Sequence, residues 1–201
     1  PVAIWMLAIG AFAIGMTEFV IMGLLPNVAR DLDVTVSQAG QLITGYALGV
    51  AIGGPILVML TIKWNRKHLL ILLMAIFIVG NLAATFSPSY GYLMTSRIIT
   101  SLAHGSFFGI GSILAASMVS PSKRASAMAL MFMGLSMSNI LGVPFGTLIG
   151  QGLGWKMTFA VIAVIGTIAL IGIIVLVPSQ KEQIQSSVTV SYTHLTLPTK
   201  A

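Results

Sequence analysis

The sequence predicts an all-α membrane protein whose six transmembrane helices form a 3+3 inverted repeat. Three observations carry this. Apolar residues make up 57% of the 201-residue chain and charged residues only 7%, against roughly 25% charged in soluble domains, and so few charges cannot cover a water-exposed surface. Apolar runs recur at about 4–25, 39–62, 68–87, 91–118, 126–151 and 157–177. The punctuation of the second run returns in the fifth. Gly45, Gly49, Gly53 and Pro55 are echoed by Gly134, Ser138, Gly142 and Pro144, at a constant offset of 89 (134 − 45, and likewise for the other three). Each repeat unit, about 1–88 and 89–178, holds three runs. Three is odd, so the second unit crosses the bilayer in the opposite sense.

Each run meets the roughly 20 residues needed to cross about 30 Å of hydrocarbon at 1.5 Å per residue. Membrane helices are apolar on most faces, so length rather than periodicity identifies them. The first run is too long for a signal peptide, carries Glu18 and lacks a small-residue cleavage site. The chain begins at Pro1 rather than Met, and further residues are expected before it. It has no cysteine, which excludes disulfides and thiolate metal sites.

The net charge of +6 reads as orientation rather than as nucleic-acid binding. Lys63, Arg66, Lys67 and His68 follow the second run, Lys123 and Arg124 the fourth, and Lys181 the sixth. The opposite connections hold Arg30 beside Asp31 and Asp33, no charge over 87–92, and Lys156. By the positive-inside rule the first set is cytoplasmic, and both termini with it.

Two charged residues sit well inside the spans, Glu18 and Arg97. Each lies about seven residues from the outer end of its run, roughly 10 Å deep. An acid and a base at one depth are natural partners, because an unpaired charge in hydrocarbon is expensive. They are expected to face a shared cavity and to interact, directly or through water. Two roles stay open: a structural tie between the first and fourth helices, or a proton carrier at Glu18, since gaining and losing a cationic partner changes a carboxyl's proton affinity. His104 lies seven positions after Arg97 on nearly the same face, where it extends a polar path or simply packs. Asn81, Asn139, Thr17 and Gln41 are weaker candidates that bond to neighbouring helices equally well.

The small residues Gly45, Gly49 and Gly53, and Gly134, Ser138, Gly142, Gly146 and Gly150, recur every four positions. In lipid such stripes let backbones approach closely, and Pro55 and Pro144 permit a kink. A moving interface and static packing both fit. The third and sixth runs, rich in Ile, Leu and Val, read as outer, lipid-facing supports. Met6, Met16, Met22 and the methionines of 128–137 fill the core or line an adaptable cavity. No serine–histidine–acid set, metal-ligand cluster or phosphate-binding loop occurs, so neither enzyme chemistry nor a cofactor or metal is expected.

Three segments resemble the major facilitator superfamily, in particular its drug:proton antiporter-like branch near the arabinose and sugar-efflux permeases. GMTEFVIMGLLPNVARDL, residues 15–32, is similar to that branch's first helix. SRIITSLAHGSFFGIG carries the intramembrane arginine of its fourth-helix motif, here Arg97. NILGVPFGTLIGQGLGW is similar to the fifth-helix antiporter motif through Gly142, Pro144 and Gly146. The loop VMLTIKWNRK departs from the family. Val58, Ile62 and Asn65 stand where glycine, aspartate and glycine are usual, and only the basic pair Arg66 and Lys67 is kept. That pair is left to hold helix ends or bind lipid headgroups.

The resemblance implies half of a twelve-helix fold, with a missing carboxy-terminal six-helix half. The implied protein is a bacterial inner-membrane carrier that exchanges protons for a small organic solute, sugar or drug-like, by alternating access. Glu18, Arg97 and His104 would serve coupling and the cavity, Gly142, Pro144 and Gly146 the conformational switch. The glycine stripes would then lie at an interface between halves and lack their partners in this chain. The other reading is a complete six-helix scaffold or sensor. Residues 179–189 read as a cytoplasmic linker. VSYTHLTLPT, 190–199, resembles the translation of a transposon-end sequencing adapter, so 190–201 is expected to be non-native read-through and the gene to continue beyond it.

The topology is testable because the chain is cysteine-free. A thiol reagent that cannot cross membranes should label Tyr92→Cys in intact cells and Lys63→Cys only after permeabilisation. Labelling of both from one side would break the inverted repeat.

Overall fold

Polar residues at the edges of the apolar runs decide where three of the described helices start. The computed structural model describes residues 1–178, and the linker and read-through expected at 179–201 lie outside the described residues. Among the described residues six helices are long and apolar enough to cross a membrane: α1 (Val2–Asp31), α2 (Val36–Leu60), α3 (Arg66–Thr85), α4 (Tyr90–Ser117), α5 (Pro121–Leu153) and α6 (Trp155–Leu176). Thr35 begins α2 with a capping box, its hydroxyl accepting from Gln38 N while the Gln38 side chain accepts from Thr35 N. Asn65 caps α3 through Lys67 N, and Ser89 caps α4 through Tyr92 N. Asp33 takes a positive φ of 52° in the turn after α1, a conformation that Asp tolerates better than most residues. α5 and α6 are parted at Gly154, whose φ of 91° suits glycine alone.

The first helix is longer than its apolar run. It continues through Pro26 to Asp31, so Glu18 lies nearer the helix middle than the run length suggests. At its far end the Trp155 indole N–H donates to the Asp31 carboxylate at 2.9 Å, which ties α1 to the start of α6.

The repeat is visible in the backbone. α2 widens into a π-helical turn at Gly49–Gly53 and α5 into another at Ser138–Gly142, again 89 residues apart (138 − 49). Each turn precedes a proline, Pro55 or Pro144. A helical proline lacks an N–H, and its ring crowds the carbonyl four residues back, here that of Ala51 or Ile140. Both carbonyls lie inside the widened turn, so the π turn is where each helix accommodates its proline.

Packing follows the same symmetry. α1 packs on α5 and α6 as α4 packs on α2 and α3, and α3 meets α6. One departure is that the second half of α5 packs on α6, with no comparable contact between α2 and α3. α1 is the most enclosed helix, 67% buried over an 18-residue apolar stretch, whereas the corresponding stretches of α2 and α5 are only 17% and 22% buried. The core gathers Ile14, Met16, Val20 and Leu24 of α1 with Phe77, Phe107, Phe159 and Ile162. α3 and α6 pair with each other and turn Val79, Leu82, Val164, Ile168 and Val175 outward.

The glycine stripes correct the expectation that they lack partners. They point into this chain. A methyl group at Gly45 would meet Met94, at Gly49 Ser101 and at Gly53 Leu102, all on α4. At Gly134 it would strike the Ala8 carbonyl, and at Gly142 and Gly146 it would meet Met16 of α1. At Gly150 it would reach Leu24 and Thr158. The stripes are close-packed because, in lipid, shape complementarity replaces the hydrophobic drive between helices. The uncovered faces of α2 and α5 are other residues, and they match across the repeat. Ile52, Ile56 and Met59 are exposed on α2, and their counterparts Leu141, Phe145 and Leu148 are exposed on α5.

α2 and α4 cross with glycine facing glycine. A Cβ added to Gly105 would lie 2.7 Å from both the Gly54 Cα and the Val50 carbonyl oxygen, and the Ser106 hydroxyl donates to the Gly54 carbonyl at 3.2 Å. Gly105→Ala should therefore destabilise the bundle by about 1–3 kcal/mol. Gly109→Ala, one turn on with nothing within 4 Å, should be neutral or stabilising by up to about 1 kcal/mol. Thermal unfolding of both variants in detergent checks the contrast.

Candidate functional site

Glu18, Arg97, His104 and Thr17 converge where α1, α2 and α4 meet, whereas Gln41 is exposed. Arg97 is only 2% exposed and is held by backbone. Its Nη1 donates to the Thr17 carbonyl of α1 at 3.1 Å and its Nε to the Leu42 carbonyl of α2 at 3.3 Å. A helical carbonyl has a second lone pair to give, so one guanidinium bridges three helices without breaking either ladder. The contact with Thr17 places Arg97 and Glu18 at one level, as the depth count requires. Thr17 also donates its hydroxyl to the Asn81 side-chain oxygen at 2.5 Å, while Asn81 Nδ2 donates to the Phe77 carbonyl at 2.9 Å, extending the polar layer to α3.

Glu18 and Arg97 form no direct ion pair, although they remain within electrostatic reach. The carboxylate lies instead beside His104, with Oε2 3.8 Å from Nδ1. The side chain of Glu18 is 29% exposed and that of His104 only 11%, so the acid opens to the space outside the bundle and the imidazole backs it. Arg97 Nη2 has no partner, the single buried side-chain polar atom so placed among the described residues. The cluster therefore holds an acid, a titratable ring and a cation with one donor in reserve.

The arrangement turns on a residue the sequence reading missed. Tyr46 of α2 is 1% exposed. Its hydroxyl is 3.2 Å from His104 Nδ1, and the Arg97 guanidinium carbon lies 4.6 Å from its ring centroid. A cation over a desolvated aromatic face is attracted by about 2 kcal/mol. Tyr46 sits seven residues in from the start of the 39–62 run, the same count that singled out Glu18 and Arg97, so extending the depth argument to hydroxyls would have found it. An aromatic row continues from His104 to Phe108, 5.3 Å between centroids, and on to Phe132 of α5, stacked at 5.4 Å.

The other predicted residues fall elsewhere. Gly142 and Gly146 lie on α5 against α1, with the Gly146 carbonyl accepting from the Thr158 hydroxyl at 2.8 Å, whereas Pro144 between them is exposed. Gly45, Gly49, Gly53, Gly134, Ser138 and Gly150 are packing positions. Asn139 donates to the Leu135 carbonyl of its own helix. Arg66 and Lys67 begin α3, and Lys67 Nζ donates to the Ile174 carbonyl at 2.8 Å, capping the last turn of α6 as a cation should.

Comparison with known proteins supplies the family. The sequence model described as Major Facilitator Superfamily matches residues 7–196. The chain is 51% identical over 172 residues to "Inner membrane transport protein YdhP" of Escherichia coli K12, covering 86% of this chain and 44% of that protein. It is 35% identical over 192 residues to "Putative transporter AraJ" of the same strain, covering 96% and 49%. To the "Chloramphenicol resistance protein" of Streptomyces lividans it is 32% identical over 179 residues, covering 89% and 46%. The chain thus spans about half the length of these relatives. Among solved structures, a crystal structure of the peptide transporter POT superposes with a TM-score of 0.77 at 15% identity, over 87% of this chain and 38% of that one, a likeness of fold alone. Six membrane-crossing helices in two mirrored triplets and a family match over most of its length place this chain in the Major Facilitator Superfamily.

Proposed function

We propose that the chain is the amino-terminal half of a bacterial inner-membrane efflux carrier that exchanges protons for a small organic solute, sugar or drug-like, by alternating access. The observation that carries this reading is the intramembrane cluster of Glu18, His104 and Arg97. An ionisable group in hydrocarbon is expensive to keep and is functional by default. Here the acid sits at the open edge of the bundle beside a titratable ring, with a guanidinium in reserve behind it. A carboxyl so placed can take a proton from one side and give it up when its surroundings change.

One relative, named for chloramphenicol resistance, supports efflux as the direction, and another, named an inner membrane transport protein, supports transport at that membrane. The half-length coverage and the matched apolar faces of α2 and α5 support a second six-helix half as the missing partner, with lipid around the remainder. The basic starts of α3 and α5, set against the uncharged start of α4, support the cytoplasmic placement of both termini. The paired π turns support α2 and α5 as the helices that flex, because wide turns hold backbone groups that can re-pair. Gly142, Pro144 and Gly146 then form the switch: the proline keeps the turn wide and the glycines let it move against Met16 and Val20 of α1.

The test is efflux by the full carrier bearing this chain, in everted vesicles, against a panel of sugars and drug-like solutes with and without a pH gradient. Glu18→Gln should keep its abundance and lose gradient-driven efflux by at least about tenfold. Unchanged coupling would end the proton-carrier role. In the same assay Pro144→Ala should lower turnover several-fold while equilibrium solute binding stays within error, because a regular helix replaces the wide turn.

A further inference from the structure

Tyr46 is a buried titratable side chain for which the exchange mechanism has no assigned use. A carboxylate and a guanidinium at one level, the latter with a spare donor, ordinarily close on each other, often in bidentate fashion. Here they do not, and the side chain packed against both Arg97 and His104 is Tyr46. Arg97 lies over its ring face at 4.6 Å. His104 meets its hydroxyl at 3.2 Å and its ring edge-on at 5.7 Å between centroids. The same imidazole nitrogen, Nδ1, faces the Tyr46 hydroxyl at 3.2 Å and the Glu18 carboxylate at 3.8 Å. One nitrogen cannot accept from the tyrosine and donate to the carboxylate at once.

We propose that Tyr46 is a positioning residue of the exchange reaction: its hydroxyl contests His104 Nδ1 with Glu18, and its ring keeps Arg97 off the Glu18 carboxylate. The inference rests on the proton-coupled reading. With Glu18 protonated, Nδ1 is bare and accepts the Tyr46 O–H. When the proton moves from Glu18 to Nδ1, one O–H bond breaks and one N–H bond forms, leaving carboxylate beside imidazolium. The Tyr46 hydroxyl must then turn and accept from Nδ1–H. At 3.8 Å the oxygen and nitrogen are about 1 Å beyond hydrogen-bond distance, so transfer follows a side-chain movement of that size or one bridging water. The titratable groups facing Nδ1 from the helices packed here are Glu18 of α1 and Tyr46 of α2, while Arg97, two turns away on α4 itself, meets the Tyr46 ring. The nearby α5 contribution, Phe132, is reached only through Phe108.

The experiment uses the full carrier in proteoliposomes and reads two quantities, the pH profile of gradient-driven efflux and solute counterflow, which needs no net proton movement. Tyr46→Phe keeps the ring over Arg97 and deletes only the hydroxyl. It should retain counterflow within about twofold and lose gradient-driven efflux by about tenfold, with a displaced pH profile. His104→Gln, which removes the contested nitrogen, should give the same profile, and the double variant should be no worse than either alone. A wild-type profile for Tyr46→Phe, or additive losses in the double variant, overturns the proposal. Should Tyr46→Phe not reach the membrane, a wild-type profile for His104→Gln overturns it in its place. Glu18→Gln run alongside separates the two levels. If that variant stays proton-coupled, the underlying reading falls. If it is uncoupled while Tyr46→Phe behaves as wild type, only the role of Tyr46 falls.

Discussion

Inside hydrocarbon there is no water to answer a polar group, so each one must be answered by another part of the chain. Most of what distinguishes this bundle follows from that constraint. Arg97 is the costliest group to place, and the fold answers it with the Thr17 carbonyl on α1, the Leu42 carbonyl on α2 and the face of Tyr46. Hydrogen bonds from a charged donor contribute about 1.5–3 kcal/mol each, and these come from two helices that the sequence separates by an intervening turn. The guanidinium thereby fixes the relative height of α1, α2 and α4. It also leaves the Glu18 carboxylate free to face outward beside His104 rather than being neutralised in place.

The same constraint explains the backbone. A proline in a membrane helix leaves one carbonyl without its usual donor, and neighbouring structure must absorb the change. Both prolines that follow a glycine stripe are absorbed by a π turn at the same position of the repeat. Around those turns the glycines bring backbones together: Gly54 against Gly105, and Gly134 against Ala8. Close approach stabilises the bundle where burial of apolar surface cannot, since lipid tails are as apolar as the side chains they would replace. α2 and α5 are thus firmly seated on α4 and α1 along one face while their other faces stay open, which suits helices that bend without leaving the bundle.

The site and the scaffold meet in α4. Arg97, His104 and Phe108 lie along it, and the helix also carries Gly105 and Ser106, which seat α2. A shift of α2 on α4 would move Tyr46 relative to Arg97 and His104 together. Packing and the polar cluster share one contact surface, so a change of helix position would reach the groups around Glu18 without a separate linkage.

The number of spans and the mirrored triplets were legible in the amino-acid sequence, because hydrophobicity over about 20 residues and a fixed repeat are properties of a linear string. The common depth of Glu18 and Arg97 was legible for the same reason, since rise per residue is constant along a helix. What only the tertiary structure decided was rotation and partnership. A helix apolar on nearly all faces does not announce which face turns inward, so the glycine stripes were expected to await a missing half and instead pack within this one. Nor does depth say which of several polar groups at one level will touch. Three-dimensional packing put Tyr46 beside the guanidinium and His104 beside Glu18, because the angular setting of each helix is fixed by its neighbours rather than by its own residues.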